Sequence, residues 1–232
     1  ELVKISPLGC VGMFLLGGVF ASQFGMSAVY GAKVGLSVAQ ISIFVATFYI
    51  GAMLMQYPLG WISDRMDRRL LILAVSGCGG IGACIGMMFG SNFTFLLVGA
   101  FLIGGLSNPL YSLLLAHTND YLDHEDMAAA SGGLVFINGL GAITGPLIIG
   151  WLMGDDVFGP PGFFLFMAGL LFVLAIYAAY RSTRRGAVPI EETGSIAAVY
   201  PSSTYVAVEY AQELAIEADL EDEQVTETSH QS

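Results

Sequence analysis

The longest part of the chain without a charged side chain covers residues 70–119 and reads LLILAVSGCGGIGACIGMMFGSNFTFLLVGAFLIGGLSNPLYSLLLAHTN. A helix needs about 20 apolar residues to cross a hydrocarbon core of about 30 Å. This stretch therefore has room for two membrane-spanning helices, joined at the Gly90-Ser91-Asn92 turn. Hydrophobic residues make up 55% of the chain and charged residues 12%, which excludes an ordinary water-soluble domain.

Four shorter charge-free windows lie on either side of this stretch, at residues 5–32, 34–63, 127–154 and 157–180, and each has room for one span. The predicted spans, numbered 1 to 6, are residues 8–31, 38–61, 71–89, 93–117, 128–152 and 162–180. The sequence thus predicts an all-α membrane protein in which residues 1–185 form a six-helix bundle.

The net charge of −11 is concentrated at the C-terminal end of the chain. Residues 186–232 contain ten acidic residues and no Lys or Arg, whereas residues 1–185 contain nine acidic residues and all eight Lys and Arg. The polar composition of residues 186–232 predicts an acidic, largely disordered tail. Because the chain has no basic patch, nucleic acid is not an expected partner.

The positions of Lys and Arg predict the orientation of the bundle, because short cytoplasmic loops collect basic residues. With the N-terminus inside, seven basic residues lie in inner segments and Lys33 lies in an outer loop. The inner residues are Lys4, Arg65, Arg68, Arg69, Arg181, Arg184 and Arg185. This distribution predicts a multi-pass protein of the cell membrane, the inner membrane of a bacterium, with both ends in the cytoplasm.

Polar side chains inside the spans are unevenly distributed, and each costs free energy in hydrocarbon unless it faces a partner or a water-filled cavity. Spans 3 and 6 contain no Asn, Gln, His or charged residue in their interiors. We therefore predict that spans 1, 2, 4 and 5 line a polar cavity and that spans 3 and 6 lie outside them, against lipid. The candidate cavity residues are Gln23, Tyr49, Gln56, Asn108, Tyr111 and Asn138. In the alternative interpretation, each amide caps a neighbouring helix or bonds across the bundle.

The loop between spans 2 and 3 carries the strongest local motif, Gly60-Trp61-Ile62-Ser63-Asp64-Arg65-Met66-Asp67-Arg68-Arg69. Its order, Gly-x3-Asp-Arg-x2-Arg-Arg, resembles the loop signature of the major facilitator superfamily, a family of membrane transporters. The family pattern has a second glycine where this sequence has Met66 or Asp67, and one more residue before the arginine pair. The residues that match, and that are candidates for a cytoplasmic gating loop, are Gly60, Asp64, Arg65, Arg68 and Arg69.

Span 5 carries a second resemblance to the same family, in the sequence Gly139-Leu140-Gly141-Ala142-Ile143-Thr144-Gly145-Pro146-Leu147-Ile148-Ile149-Gly150. It is similar to the Gly-rich, Gly-Pro-containing motif of the fifth or the eleventh span of the superfamily. Small residues let membrane helices approach closely, although Gly-Pro in a membrane helix can also serve only as a kink. We therefore predict a helix-packing motif made of Gly139, Gly141, Gly145, Pro146 and Gly150.

The resemblance covers residues 8–185 and implies a twelve-span fold built from two six-span halves. Because a polar tail follows the last span, this chain resembles the C-terminal half, and the N-terminal six-span half of the same full-length protein is the implied partner besides the lipid bilayer. The resemblance also implies a substrate site near the bilayer midplane, and it implies that Asp64 faces the positive end of a helix in the other half. The implied function is secondary active or facilitative transport of a small polar solute by alternating access.

Other functions fit the residues less well. A six-span channel or a homodimeric half-transporter is the alternative, although no ring of carbonyl or charged groups marks an ion filter. An intramembrane serine protease would need a buried serine and histidine on facing helices, but Ser131 and His117 lie near the ends of their spans. Residues 117–120 and 124–126 contain histidines and carboxylates without defined metal geometry, in an expected solvated loop. No enzyme activity, cofactor or metal is predicted.

Overall fold

The computed structural model describes residues 2–122 and 124–183, and within these ranges all regular structure is helical. The long apolar helices are Pro7–Lys33, Val38–Ser63, Arg68–Phe89, Phe93–Asn119, His124–Leu152 and Gly162–Ser182, and a short helix, Leu2–Ile5, precedes them. The prediction of six spans is confirmed, with every boundary within four residues of its predicted position. We keep the names spans 1 to 6 for these helices. The predicted tail, residues 186–232, lies outside the described residues.

Several helices begin at capping residues that the sequence supplies. Ser37 and Gln40 form a capping box at the start of span 2, in which each side chain accepts a hydrogen bond from the backbone nitrogen of the other residue. The side chains of Asn92 and Asp67 accept from backbone nitrogens in the first turns of spans 4 and 3. These caps fix the points at which the chain re-enters the bundle after each short turn.

Spans 1, 3, 4 and 6 form the centre of the described bundle. The prediction that spans 3 and 6 lie outside the other four is therefore wrong for this bundle, because glycines let span 3 pack closely against spans 4 and 6. Span 4 packs against spans 1 and 3, span 3 packs against span 6, and span 6 packs against span 1. Span 2 lies on one flank against span 4, and span 5 lies on the other flank against span 1. The two flanking helices therefore leave most of their surface uncovered by described residues. We call the side of the bundle on which span 1 begins the inner side.

Glycines let the flanking helices approach the central helices at backbone distance. A Cβ atom at Gly104 of span 4 would overlap the carbonyl oxygen of Phe48 in span 2. A Cβ atom at Gly141 of span 5 would likewise overlap the carbonyl oxygen of Phe14 in span 1. Because lipid provides little hydrophobic drive between helices, such close van der Waals contact is what holds the flanks in place.

The predicted packing motif of span 5 is divided between two faces of the helix. Gly141 and Gly145 contact span 1, and Pro146 lies within the unbroken helix. Gly139 and Gly150, by contrast, have no described neighbour within 4 Å of an added Cβ atom. Each residue turns an α-helix by roughly 100°, so positions two or five residues apart point to different faces. A packing role for Gly139 and Gly150, which approach no other helix of the described bundle, therefore stays a prediction.

Span 1 changes its winding near its middle. Residues Ala21–Met26 form a π-helical turn between two α-helical segments. Beyond this turn, the Tyr30 ring stacks on Phe163 of span 6, with ring centroids 4.8 Å apart, and meets the edge of Phe164 at 5.2 Å. Such aromatic contacts stabilise the outer part of span 1 against the centre. The π-helical turn itself is a rare element that is often found at functional sites.

Candidate functional site

A buried group of polar side chains joins spans 1 and 4 at the level of the π-helical turn. Gln23 Nε2 donates to Ser107 Oγ at 2.5 Å. Asn108 Nδ2 donates to Gln23 Oε1 at 3.3 Å and to the Gly104 carbonyl oxygen at 2.9 Å. Gln23, Ser107 and Asn108 are buried, and we call these three residues the amide cluster. The amides of the cluster are paired inside the bundle, which removes the cost of burying them away from water.

Two further cavity candidates also bond or pack within the bundle. Asn138 of span 5 donates through Nδ2 to the Met13 carbonyl oxygen of span 1 at 2.9 Å. Tyr111 of span 4 is buried beside Phe20, with ring centroids 6.3 Å apart. These positions agree with the alternative interpretation, in which polar side chains bond across the bundle, and a role in substrate contact stays a prediction.

Tyr49 is the most open of the predicted cavity residues, with 54% of its surface exposed on span 2. Its ring stacks on Phe24 of span 1 at a centroid distance of 4.9 Å, and Phe24 in turn stacks on Phe20 at 6.1 Å. Tyr49 and Phe24 lie near the midpoints of their helices. Phe24 is not among the predicted cavity residues, because its sequence context is that of an ordinary apolar residue in a span.

An open groove of about 370 Å³ lies between the inner parts of spans 2 and 4, and we call it the inner groove. Gln56 lines it and donates through Nε2 to Ser112 Oγ at 3.3 Å. Gln56 Oε1 is buried and has no hydrogen-bond partner among the described residues. The groove is also lined by Met53, Tyr57, Trp61 and Leu113, and by Gly60 and Asp64 of the predicted gating loop. None of its lining residues is Lys, Arg or His.

The charged residues of the gating loop have different partners. Arg69 pairs with Asp67, with Nη2 and Oδ2 3.2 Å apart. Arg65 turns back on span 2, where its Nη1 donates to the Trp61 carbonyl oxygen at 3.0 Å and its guanidinium carbon lies 4.1 Å from the Trp61 ring centroid. Asp64 is the exposed C-cap of span 2 and makes no ion pair with a described residue. Asp67 thus has an arginine partner, whereas Asp64 has no cationic partner among the described residues.

Arg68, the remaining loop arginine, is buried and forms an ion pair with Asp120, directly after span 4. The Asp120 side chain is only 6% exposed. Burial raises the pKa of the Asp120 carboxyl, and the Arg68 guanidinium offsets part of that rise. The expectation that residues 117–120 form a solvated loop is therefore wrong, since His117 and Thr118 are buried as well. The sequence has no local signal for this ion pair, because its partners are 52 residues apart.

These features are those of one class of protein. Six apolar helices long enough to cross a membrane, backbone contact at glycines and buried, paired amides are the properties of a polytopic membrane protein. A sequence profile of the Major Facilitator Superfamily matches residues 8–213. The chain belongs to this family of membrane transporters.

Similar proteins are also transporters, which agrees with the prediction that the chain is not an enzyme. The uncharacterized MFS-type transporter YfkF of Bacillus subtilis (strain 168) is 31% identical over 132 residues, which are 56% of this chain and 33% of YfkF. The uncharacterized MFS-type transporter YcaD of Escherichia coli (strain K12 / DH10B) is 26% identical over 171 residues, which are 74% of this chain and 43% of YcaD. The chain thus spans less than half the length of either relative in these matches.

Two solved transporter structures have a similar fold. An auto-inhibited peptide transporter of the POT family matches 81% of this chain with a TM-score of 0.68 and 18% identity. The POT family transporter PepTSo matches 80% with a TM-score of 0.68 and 19% identity. The match covers 39% of each solved chain, as expected for one half of the twelve-helix fold. At these identities the similarity concerns the fold alone.

Proposed function

We propose that this chain is the C-terminal six-span half of a transporter that moves a small polar solute across the cell membrane by alternating access. The N-terminal half of the same full-length protein contacts the uncovered faces of spans 2 and 5, and the solute passes between the two halves. Both ends of the bundle lie in the cytoplasm, as its basic inner segments indicate. The matches to YfkF and YcaD cover less than half of each relative, which supports a half rather than a complete transport unit.

The polar face of span 2 is the observation that carries this proposal. Tyr49 and Tyr57 are exposed on this helix, Tyr57 to 81%, and the Gln56 amide lies half-buried between them along the chain. Hydroxyl and amide groups cost free energy in hydrocarbon. A face that carries three of them is therefore better suited to a hydrated path or to a protein partner than to lipid. Gly51 holds a different face of span 2 against span 4.

The position of Asp64 at the end of span 2 is consistent with alternation between two conformations. The C-terminal end of a helix carries partial negative charge, so a carboxylate that caps its own helix there is unfavourably placed. The N-terminal end of a helix in the other half would stabilise this charge by about 0.3 to 2 kcal/mol. We therefore assign to Asp64 the role of a latch that favours the conformation closed to the cytoplasm.

A six-span channel and a homodimeric half-transporter have less support. The amide cluster fills the space between spans 1 and 4 instead of opening a pore along them, and its side chains are buried. In a homodimer, the uncovered faces of spans 2 and 5 would have to pack against the same faces of a second copy. In a longer protein, they would pack against the N-terminal half instead. The lengths of the relatives favour the longer protein.

The latch is tested by Asp64→Asn in the full-length protein. Loss of about 1.4 kcal/mol changes a two-state ratio about tenfold. A single cysteine at Ala129, an exposed position near the start of span 5, should then react up to about tenfold faster with an impermeant maleimide added to inverted vesicles. Solute uptake should be slower at unchanged protein level.

The matched control for this experiment is Asp155→Asn, which removes an exposed carboxylate at the opposite end of the bundle, where it pairs with Lys33 at 2.8 Å. This variant should leave the reactivity at Ala129 unchanged. Equal rates in the parent, Asp64→Asn and Asp155→Asn would contradict the latch and leave Asp64 as a solvated loop charge.

The proposed orientation has a separate test. Single cysteines at Asn92 and Asp155, both exposed, should react with an impermeant thiol reagent added outside intact cells. A cysteine at Asp67 should react only after the cells are opened. If the cysteine at position 67 were labelled from outside, the proposed orientation would be wrong. The family assignment would not be affected.

A further inference from the structure

We propose that the inner groove binds an organic cation with an apolar body, for which Asp64 is the charge partner and Gln56 the hydrogen-bond acceptor. This inference rests on the proposed function, because it names the chemical class of solute that travels along span 2. The proposal specifies the charge of the solute as well as its polarity. An anion with the same apolar body should bind the groove poorly.

The size and lining of the groove fit a small organic molecule. Its volume of about 370 Å³ lies within the roughly 300 to 1,000 Å³ that is typical of ligand sites. Met53, Pro109 and Leu113 provide apolar contacts, and Tyr57 and Trp61 provide aromatic rings. Such walls can cover the hydrocarbon part of a solute. They do not determine its charge, which depends on the polar groups.

The polar groups of the groove are acceptors that have no donor in the described chain. Gln56 Oε1 is buried without a hydrogen-bond partner, which is unfavourable until a donor reaches it. Asp64 has no ion-pair partner among the described residues. Arg65 is the nearest cation along the chain, but its guanidinium is held by the carbonyl oxygen and the ring of Trp61. A solute that is cationic and donates a hydrogen bond satisfies both acceptors.

The aromatic residues of the groove add attraction for a cation. The Arg65 guanidinium already lies over the Trp61 ring, so the chain itself shows a cation placed on this wall. Tyr57 lies one helical turn before Trp61, is 81% exposed and has no described cation over its ring. Tyr49 and Phe24 continue the aromatic wall toward the middle of the bundle. A cation that leaves Asp64 therefore meets further rings on its way along span 2.

The latch and the solute would use the same carboxylate. While Asp64 contacts a helix end of the other half, it cannot pair with a cation in the groove. A cation bound to Asp64 therefore stabilises the conformation that is open to the cytoplasm. Binding of the solute and opening of the inner side are coupled in this scheme through one residue.

The test uses purified full-length protein in detergent with a single reactive cysteine at Met53, an exposed residue of the groove. The probe is benzyldimethylammonium, a cation that keeps one N–H donor for Gln56, added at constant ionic strength while alkylation of the cysteine is followed. We expect saturable protection by this cation. Benzyl alcohol, which is neutral, and benzenesulfonate, which is anionic, should protect at least tenfold less well at equal concentration.

Variants in the same background identify the groups that bind the probe. Asp64→Asn should raise the concentration for half-protection at least tenfold, and Gln56→Leu should raise it by a smaller factor. Asp155→Asn, which lies far from the groove, should have no effect and controls for net charge. Equal protection in the parent and Asp64→Asn would overturn the proposal.

Two other outcomes would also overturn it. Stronger protection by benzenesulfonate would show that the groove selects anions. A cysteine at Met53 that stays unreactive with and without the probe would show that another part of the full-length protein fills the groove. Either result leaves the latch intact if Asp64→Asn still raises the reactivity at Ala129, so failure of cation binding and failure of alternating access are distinguishable.

Discussion

The amide cluster and the inner groove are both built by span 4 and a neighbouring helix, and both contain a glutamine and a serine. In the amide cluster, Gln23 is bonded to Ser107 and Asn108, and all three side chains are buried. In the inner groove, Gln56 bonds to Ser112 through its nitrogen, its oxygen is buried without a described partner, and the residue lines open space. A polar residue inside a span is therefore not a sufficient sign of a substrate path. The two regions differ in whether the donors and acceptors of their amides are paired within the described chain.

The largest expected effect comes from breaking the close packing of spans 2 and 4 beside the amide cluster. Gly104 accepts a hydrogen bond from Asn108, and a Cβ atom at Gly104 would overlap the Phe48 carbonyl oxygen. Gly104→Ala should separate spans 2 and 4 and greatly reduce the fraction of monodisperse full-length protein in detergent, measured by fluorescence-detected size exclusion.

The matched control for this substitution is Gly139→Ala. It adds the same methyl group to another span at a position with no described neighbour within 4 Å of the new atom. The control should leave the monodisperse fraction nearly unchanged. If the two variants behaved alike, the close contact between spans 2 and 4 would not be needed to hold the bundle together.

The second prediction compares one amide from each region. Asn108→Leu removes the donor to Gln23 Oε1 and leaves that acceptor buried. We expect a loss of stability of about 0.6 to 2 kcal/mol, the range for hydrogen bonds between membrane helices. Gln56→Leu removes an amide whose oxygen is already unpaired and should cost less. Thermal unfolding in detergent measures both, and a larger loss for Gln56→Leu would reverse the assignment of closed and open regions.

The sequence was sufficient to predict the six helices, because charge-free windows and the turns between them are properties of neighbouring residues. Even the capping box at Ser37 and Gln40 is a local pattern. The family followed from the order of Gly60, Asp64 and the arginines of the same loop, which is local as well. Membrane insertion imposes these patterns on the chain before any helix packs against another.

The rotation of each helix about its axis could not be predicted in the same way. The π-helical turn Ala21–Met26 changes the winding of span 1 without a recognised sequence signal, and a one-residue shift rotates the following residues by roughly 100°. Gln23 lies in this turn and points to span 4. Periodicity could therefore not distinguish a glutamine that faces a cavity from one that faces Asn108. The glycines of span 5 likewise lie on two faces of their helix, and the sequence does not show which face contacts span 1.

The smallest expected effect concerns the ion pair of Arg68 and Asp120, which is buried like the amide cluster but charged. Because burial raises the Asp120 pKa above its ordinary value of 3.8, the native state holds this proton more tightly than the unfolded chain does. The stabilisation from Asp120 is therefore fully present below pH 3.8 and is lost as the pH rises through the native pKa. Titration of Asp120 changes the free energy of unfolding by at most about 1.4 kcal/mol per pH unit.

Asp120→Asn removes this titration while keeping the size of the side chain. We expect the melting temperature of the parent, relative to that of Asp120→Asn, to rise as the pH is lowered from 7 toward 4. A parent that instead loses stability relative to Asp120→Asn on acidification would show that attraction by Arg68 exceeds the cost of burial. In that case the ionised pair of Arg68 and Asp120 would stabilise the folded protein. Both charged and neutral polar groups could then stabilise the buried contacts between these helices.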